Sequence, residues 1–217
     1  MIPEAEIFRL TSDNRLRIAA VLEELDDAAW ESPTLCPGWT VHHMAAHLVQ
    51  PMLVGFGRFL LVSMRFRGDT ARTVDHFTRR LARRSRDELV ALLRRHAGDR
   101  LDPPRVGPMG PYADTCVHLR DIARPLGLDA DVPVGQWQIL LDYLTGGDGR
   151  VAPGLVQPGL LDGLRFAATD TEWTAGQGAL LSGPAEALGM AITGRAVALA
   201  DLRGPGVEVL GRRLQPR

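Results

Sequence analysis

Apolar residues recur at helical spacing through the first half of the chain. Ile7, Leu10, Ile18, Val21, Leu22 and Leu25, with Asn14 on the same stripe, are separated by charged positions, as in an amphipathic helix with one buried face. The run Ser32-Pro-Thr-Leu-Cys-Pro-Gly-Trp39 breaks that period, and Thr40 stands where an N-cap belongs before a second helix from Val41. The apolar stretch 48–64 reads as a buried bundle helix or, alternatively, a subunit contact, kinked at Pro51, whose ring removes a backbone donor. Its Pro51, Gly55, Gly57 and Arg58 leave it short of a membrane span.

Ser85-Arg-Asp-Glu88 has the form of a capping box before Leu89, Val90, Leu92 and Leu93, with Gly98 as the stop of a third helix. A Pro/Gly-rich connection, 101–110, leads to a fourth helix over 111–126, where Asp114, Val117, His118, Asp121 and Ile122 share a face. A shorter apolar run, 137–144, adds a fifth before Gly146-Gly147. After about residue 150 the texture changes to frequent glycines, a strand-like run at 164–168 and a helical stretch at 183–193. The expected organisation is therefore α+β: a helical bundle over 1–150 and a small α+β domain over 151–217.

Composition narrows the class without selecting a function. The chain has 217 residues, 45% apolar and 24% charged, with a net charge of −1, which gives no support for a general nucleic-acid or membrane surface. Every basic side chain other than histidine is arginine; the densest group, Arg79, Arg80, Arg83, Arg84 and Arg86, reads as a solvated helix face. Two cysteines without CxxC spacing, and no basic and apolar leader in view, make a reducing cytoplasm the expected compartment.

Chemistry concentrates on the second and fourth helices. Asp114 and His118 stand four apart and stack on one helix face, so both can reach one ion, with His47 supplied from a neighbouring helix. Such a three-residue set leaves coordination positions open, as catalytic metals require. Asp121, one turn on, either orients a ligand imidazole or pairs with Arg124. Cys116 points away from that face, and His42, His43, His76 and His96 carry no metal motif and read as surface positions, the first two at a pocket mouth. Gly176-x-Gly178 lacks the third glycine and βαβ context of a dinucleotide site.

Three segments together resemble the mycothiol-dependent maleylpyruvate isomerase family: Ser32 to Val41 followed by Ala46-His47-Leu48, then Val117-His118-Leu-Arg-Asp121-Ile-Ala-Arg124-Pro-Leu-Gly127, then Leu164-Arg-Phe-Ala-Ala-Thr-Asp170 with Gly176, Gly178, Gly183 and Thr193-Gly-Arg195. The resemblance implies a DinB-like four-helix bundle with a small C-terminal domain. It also implies a divalent metal, usually zinc, held by His47, Asp114 and His118. Asp114 departs from the family's Glu, shortening the side chain by one methylene while keeping an anionic oxygen.

The implied cofactor is mycothiol, a low-molecular-weight thiol that adds to a cis double bond conjugated to a ketone, permits rotation and leaves the trans isomer. A mycothiol S-transferase fits the residues equally well. Carboxylated small-molecule substrates call for a cationic anchor, for which Arg195 is the candidate beside an interdomain salt bridge. Two other classes stay open: a non-catalytic metal-binding or stress-response module, and a metal-dependent hydrolase with Asp121 as base. Either a monomer or a homodimer suits the sequence.

Overall fold

The computed structural model describes residues 2–146 and 154–215. Contacts divide the chain into two compact units, Met1–Asp131 and Val132–Arg217. The boundary expected at 150/151, like Gly147, lies outside the described residues.

In the first unit the helices α1 (Glu4–Glu23), α2 (Asp27–Glu31), α3 (Val41–Leu53), α4 (Phe56–Arg65), α5 (Thr70–Leu81), α6 (Arg86–Arg95) and α7 (Met109–Leu126) follow one another. Packing of α1 on α6 and α7, and of α3 on the same two, closes α1, α6, α3 and α7 into a four-helix ring. Its interior is filled by Ile7, Ile18 and Leu22 of α1, Val41 and Met44 of α3, Leu89 and Leu93 of α6, and Tyr112, Leu119 and Ile122 of α7, all buried. Each such side chain contributes about 1.5–3 kcal/mol on leaving water.

Several polar groups inside the ring form specific pairs. Asn14 Nδ2 of α1 donates to Thr115 Oγ1 of α7 at 3.3 Å. The buried Arg15 guanidinium donates to the carbonyls of Ala97 and Asp99 just past α6. The box expected at the start of α6 is present, with Glu88 N donating to Ser85 Oγ and Ser85 N to Glu88 Oε2. The helix stops at His96, two residues before Gly98. Gly127, at φ 66°, ends α7, where Leu128 N returns to the Ala123 carbonyl.

One expectation for this unit is corrected. The stretch 48–64 is not a single buried helix: α3 ends at Leu53, and α4 turns away by 118° with none of its residues buried. Pro51 removes the donor that would face the His47 carbonyl, and Gly55 starts the new helix in an extended conformation. No single helix among the described residues is long and apolar enough to cross a membrane.

The second unit begins with α8 (Val134–Leu144) and continues with β1 (Leu164–Ala168), β2 (Thr174–Gly176), β3 (Ala179–Gly183), α9 (Ala185–Ile192), a 3₁₀ turn (Ala196–Asp201) and α10 (Gly206–Leu214). The described strands lie in the order β2-β1-β3, with β1 antiparallel to β2 and parallel to β3. Phe166 pairs with Ala175 on one side and Leu181 on the other. α9 packs on α8, β1 and β3, and Asp170 Oδ1 accepts from Ala185 N at its start. Sheet and helices make this a small α+β unit, as expected.

Candidate metal centre

Two helices of the ring bring the chemistry together. α3 carries His47 and α7 carries Asp114 and His118, and ligand atoms from the three residues all lie within 4.8 Å of one another. The i, i+4 spacing on α7 puts His118 Nε2 3.8 Å from Asp114 Oδ1, while the His47 and His118 rings meet edge-on with centroids 4.9 Å apart. The histidines are nearly enclosed, but the Asp114 side chain is 36% exposed, so the cluster opens to solvent on its carboxylate side.

Asp121 sits behind His118 and is fully buried. Its Oδ2 lies 2.8 Å from His118 Nδ1. A carboxylate only accepts, so Nδ1 carries the hydrogen and Nε2 is turned toward Asp114. The same oxygen accepts from Cys36 Sγ at 3.3 Å, and the Asp121 carbonyl accepts from Leu35 N at 3.1 Å. The segment between α2 and α3 is thus latched onto α7 at the residue that orients the imidazole. Cys36, His118 and Asp121 also form a cluster of metal-capable atoms, but these atoms already bond one another and form the support behind the first cluster.

Burial works against charge on His118. The hydrogen bonds to Asp121 and Cys36, with the Asp121 and Asp114 carboxylates, outweigh it and push the imidazole up to about 10 in the metal-free protein. Because that value exceeds the unfolded one, the pair's stabilisation is complete below about pH 6.5 and fades as pH rises through about 10.

Trp39 forms a wall. Its ring centroid is 5.0 Å from that of His47, and its Nε1 donates to Asp75 Oδ1 of α5 at 2.9 Å, where Arg79 also pairs. Cys36 and Trp39 are the neighbours of the cluster that residue-by-residue reading does not single out. Both stand in the Ser32–Trp39 run that carried the family resemblance, which was the available signal.

The other candidates have separate places. His43 Nδ1 lies 3.0 Å from Thr40 Oγ1 and caps α3, while His42 meets the Arg84 carbonyl and the edge of Trp30. His76 lies against Phe66 and Phe77, and His96 pairs with Asp99. Arg195, in the second unit, is half-buried and donates to the Thr193 carbonyl at 2.7 Å.

Cys116 faces the ring interior beside Asn14 and Tyr112, and burial pushes its thiol up to about 12. It is therefore expected to resist iodoacetamide at pH 8 in the folded protein and to react once the chain is unfolded, as peptide mass spectrometry will read. Labelling of Cys116 in the native state would contradict the packing of α1 on α7.

The family model for the mycothiol maleylpyruvate isomerase N-terminal domain matches residues 12–123, just over half of the chain. The chain belongs to this family. The matched span contains the latch segment, His47, Asp114, His118 and Asp121.

The crystal structure of the mycothiol-dependent maleylpyruvate isomerase is similar over 94% of this chain and 93% of that one, with a TM-score of 0.59 and 14% identity. A histidine-to-alanine mutant of that enzyme matches over the same shares at 0.58 and 14%. These likenesses show a common fold extending through both units. No curated protein matches the sequence.

Proposed function

We propose that the chain is a metal- and mycothiol-dependent enzyme of the cytoplasm, an isomerase of small carboxylated substrates with a cis double bond or an S-transferase using the same thiol. The observation that carries this reading is the convergence of His47, Asp114 and His118 from two helices, with Asp121 fixing the tautomer of His118. Two imidazoles and a carboxylate are a donor set that suits zinc, and zinc is the ion we assign.

When bound, the metal and thiol would supply a nucleophilic sulfur at neutral pH. The chain's own residues hold and shape the place. His47 and His118 present nitrogens from a nearly enclosed interior, and Asp114 completes the set at the solvent side. Asp121 keeps the proton on Nδ1 of His118, and Trp39 covers His47. Asp121 is a positioning residue in this scheme. Its carboxylate, fully buried and bonded to His118 and Cys36, faces away from the opening, which disfavours a hydrolase that needs it as base. The shorter Asp114 still lies beside His118 Nε2, and the open side favours an enzyme over a sealed binding module. Arg195 is proposed as the anchor for a substrate carboxylate, through its planar two-pronged donor set.

The test is elemental mass spectrometry on untagged protein, followed by mycothiol-dependent isomerisation of maleylpyruvate monitored by absorbance. Near-stoichiometric zinc is expected, lost in His118→Ala and Asp114→Ala together with thiol-dependent turnover. Arg195→Ala is expected to raise KM with metal content unchanged. Thiol-dependent turnover that persists in Asp114→Ala, or a chain that takes up no zinc when it is supplied, overturns the reading.

A further inference from the structure

We infer that α4 and the arginine-lined surface beside it form a docking face for an anionic lipid bilayer. Phe56, Leu60, Leu61 and Met64 are 62%, 50%, 65% and 61% exposed, and at 100° per residue they share an arc of the helix with Gly57 and no polar side chain. The inward side of α4, by contrast, is anchored: Phe59 stacks on Phe77 of α5, with ring centroids 6.2 Å apart. α4 thus packs on α5 through Phe59 while its outer apolar side chains stand exposed among the described residues.

Charge around that face is predominantly positive. Between Phe56 and Arg84 the sequence carries eight arginines and two aspartates, and no acidic residue occurs between Ser32 and Gly68. Both aspartates are engaged: Asp69 caps α5 through Arg72 N, and Asp75 holds Trp39 and Arg79. An open groove of about 630 Å³ at the end of α4 is lined by Phe66, Arg72, His76, Arg79, Arg80 and Arg83, with Asp75 paired to Arg79 among them. A second, of about 320 Å³, combines Arg58, Arg80 and Arg84 with Leu53, Val54 and Phe77. The near-zero total charge of the chain conceals this asymmetry.

Apolar side chains standing out from a helix rimmed by arginine suit the boundary between acyl chains and anionic headgroups, where the helix lies in the plane of the surface. The grooves offer guanidinium forks to lipid phosphates. A second copy of the chain is a poorer occupant, because a two-fold contact would set this basic rim against itself. A helix about 15 Å long also supplies only part of the ~800 Å² per partner that a standard interface buries.

The test is co-sedimentation of the intact protein with vesicles of phosphatidylglycerol and phosphatidylcholine, and with vesicles of phosphatidylcholine alone, at low and high salt. Binding is expected only with phosphatidylglycerol and is expected to weaken as salt rises. Leu61→Glu with Met64→Glu should lower partitioning by at least roughly tenfold, as should Leu61→Ala with Met64→Ala to a smaller extent, both with native circular dichroism. Arg65→Glu with Arg72→Glu should flatten the salt dependence. The inference falls if phosphatidylglycerol vesicles are not bound, if the Leu61/Met64 variants bind as the parent does, or if sedimentation velocity shows a dimer that these variants dissociate. Metal content and turnover enter none of these readouts, so the inference stands or falls apart from the proposed function.

Discussion

Asp121→Asn is expected to lower the affinity of the His47, Asp114 and His118 cluster for zinc by roughly 10–100-fold. The substitution preserves shape and removes charge from a side chain with no exposed surface. An amide can donate to His118 Nδ1 as readily as accept from it, and the former arrangement moves the hydrogen to Nε2, the atom facing Asp114. The Cys36 thiol, which now donates to the carboxylate, would face a weaker acceptor. Loss of the buried charge pair is also expected to destabilise the metal-free protein by about 3 kcal/mol. Competition with a chromophoric chelator measures the first effect and urea unfolding the second. A variant less stable but unchanged in zinc affinity would show that Asp121 serves packing alone and would remove its orienting role.

Gly178→Ala is expected to destabilise the chain by about 3–5 kcal/mol. Gly178 has φ 126°, and a Cβ there would lie within 2.0 Å of the Gly163 carbonyl oxygen and 3.0 Å of the Gly163 Cα. The obstacle is backbone, so no rotamer change relieves it. The same carbonyl accepts from Ala179 N at the start of β3, and moving it would disturb the parallel pairing of β1 with β3. Gly194 is the internal control: its φ of 96° is also left-handed, but a Cβ there meets nothing within 4 Å, so Gly194→Ala should cost only about 1 kcal/mol. Equal losses in the two variants, measured by urea unfolding of the intact chain, would mean that dihedral strain alone matters and the close approach to Gly163 does not.

What could be read from the sequence was mostly local. The Ser85/Glu88 box, the Asp114/His118 face and the strand Leu164–Ala168 depend on spacings of two to four residues, which backbone geometry translates directly into structure. Spacing offers His47 from a neighbouring helix as a third ligand, and the family resemblance strengthens its link to α7. Two features escaped because they depend on distant parts of the chain. The bond from Cys36 to Asp121 spans 85 positions, and no local pattern announces it. The outward turn of α4 escaped because periodicity shows that one side of a helix is apolar without showing whether anything covers it. Gly98 is not reached as the stop of α6, because the turn at His96, whose ring pairs with Asp99, ends the helix first.

The hydrogen bond from Asn14 to Thr115 gives α1 an influence over a cluster to which it contributes no side chain. An apolar seam between α1 and α7 would tolerate sliding by a turn or rolling to a neighbouring groove at little cost. An amide buried in that seam does not, since any displaced arrangement strands it away from its acceptor. Thr115 directly follows Asp114, so fixing its azimuth fixes the direction in which Asp114 and His118 project. Asn14 thereby acts as an indexing key: it rejects rotated alternatives of α7 that would bury the same hydrocarbon but turn the carboxylate and imidazole away from His47.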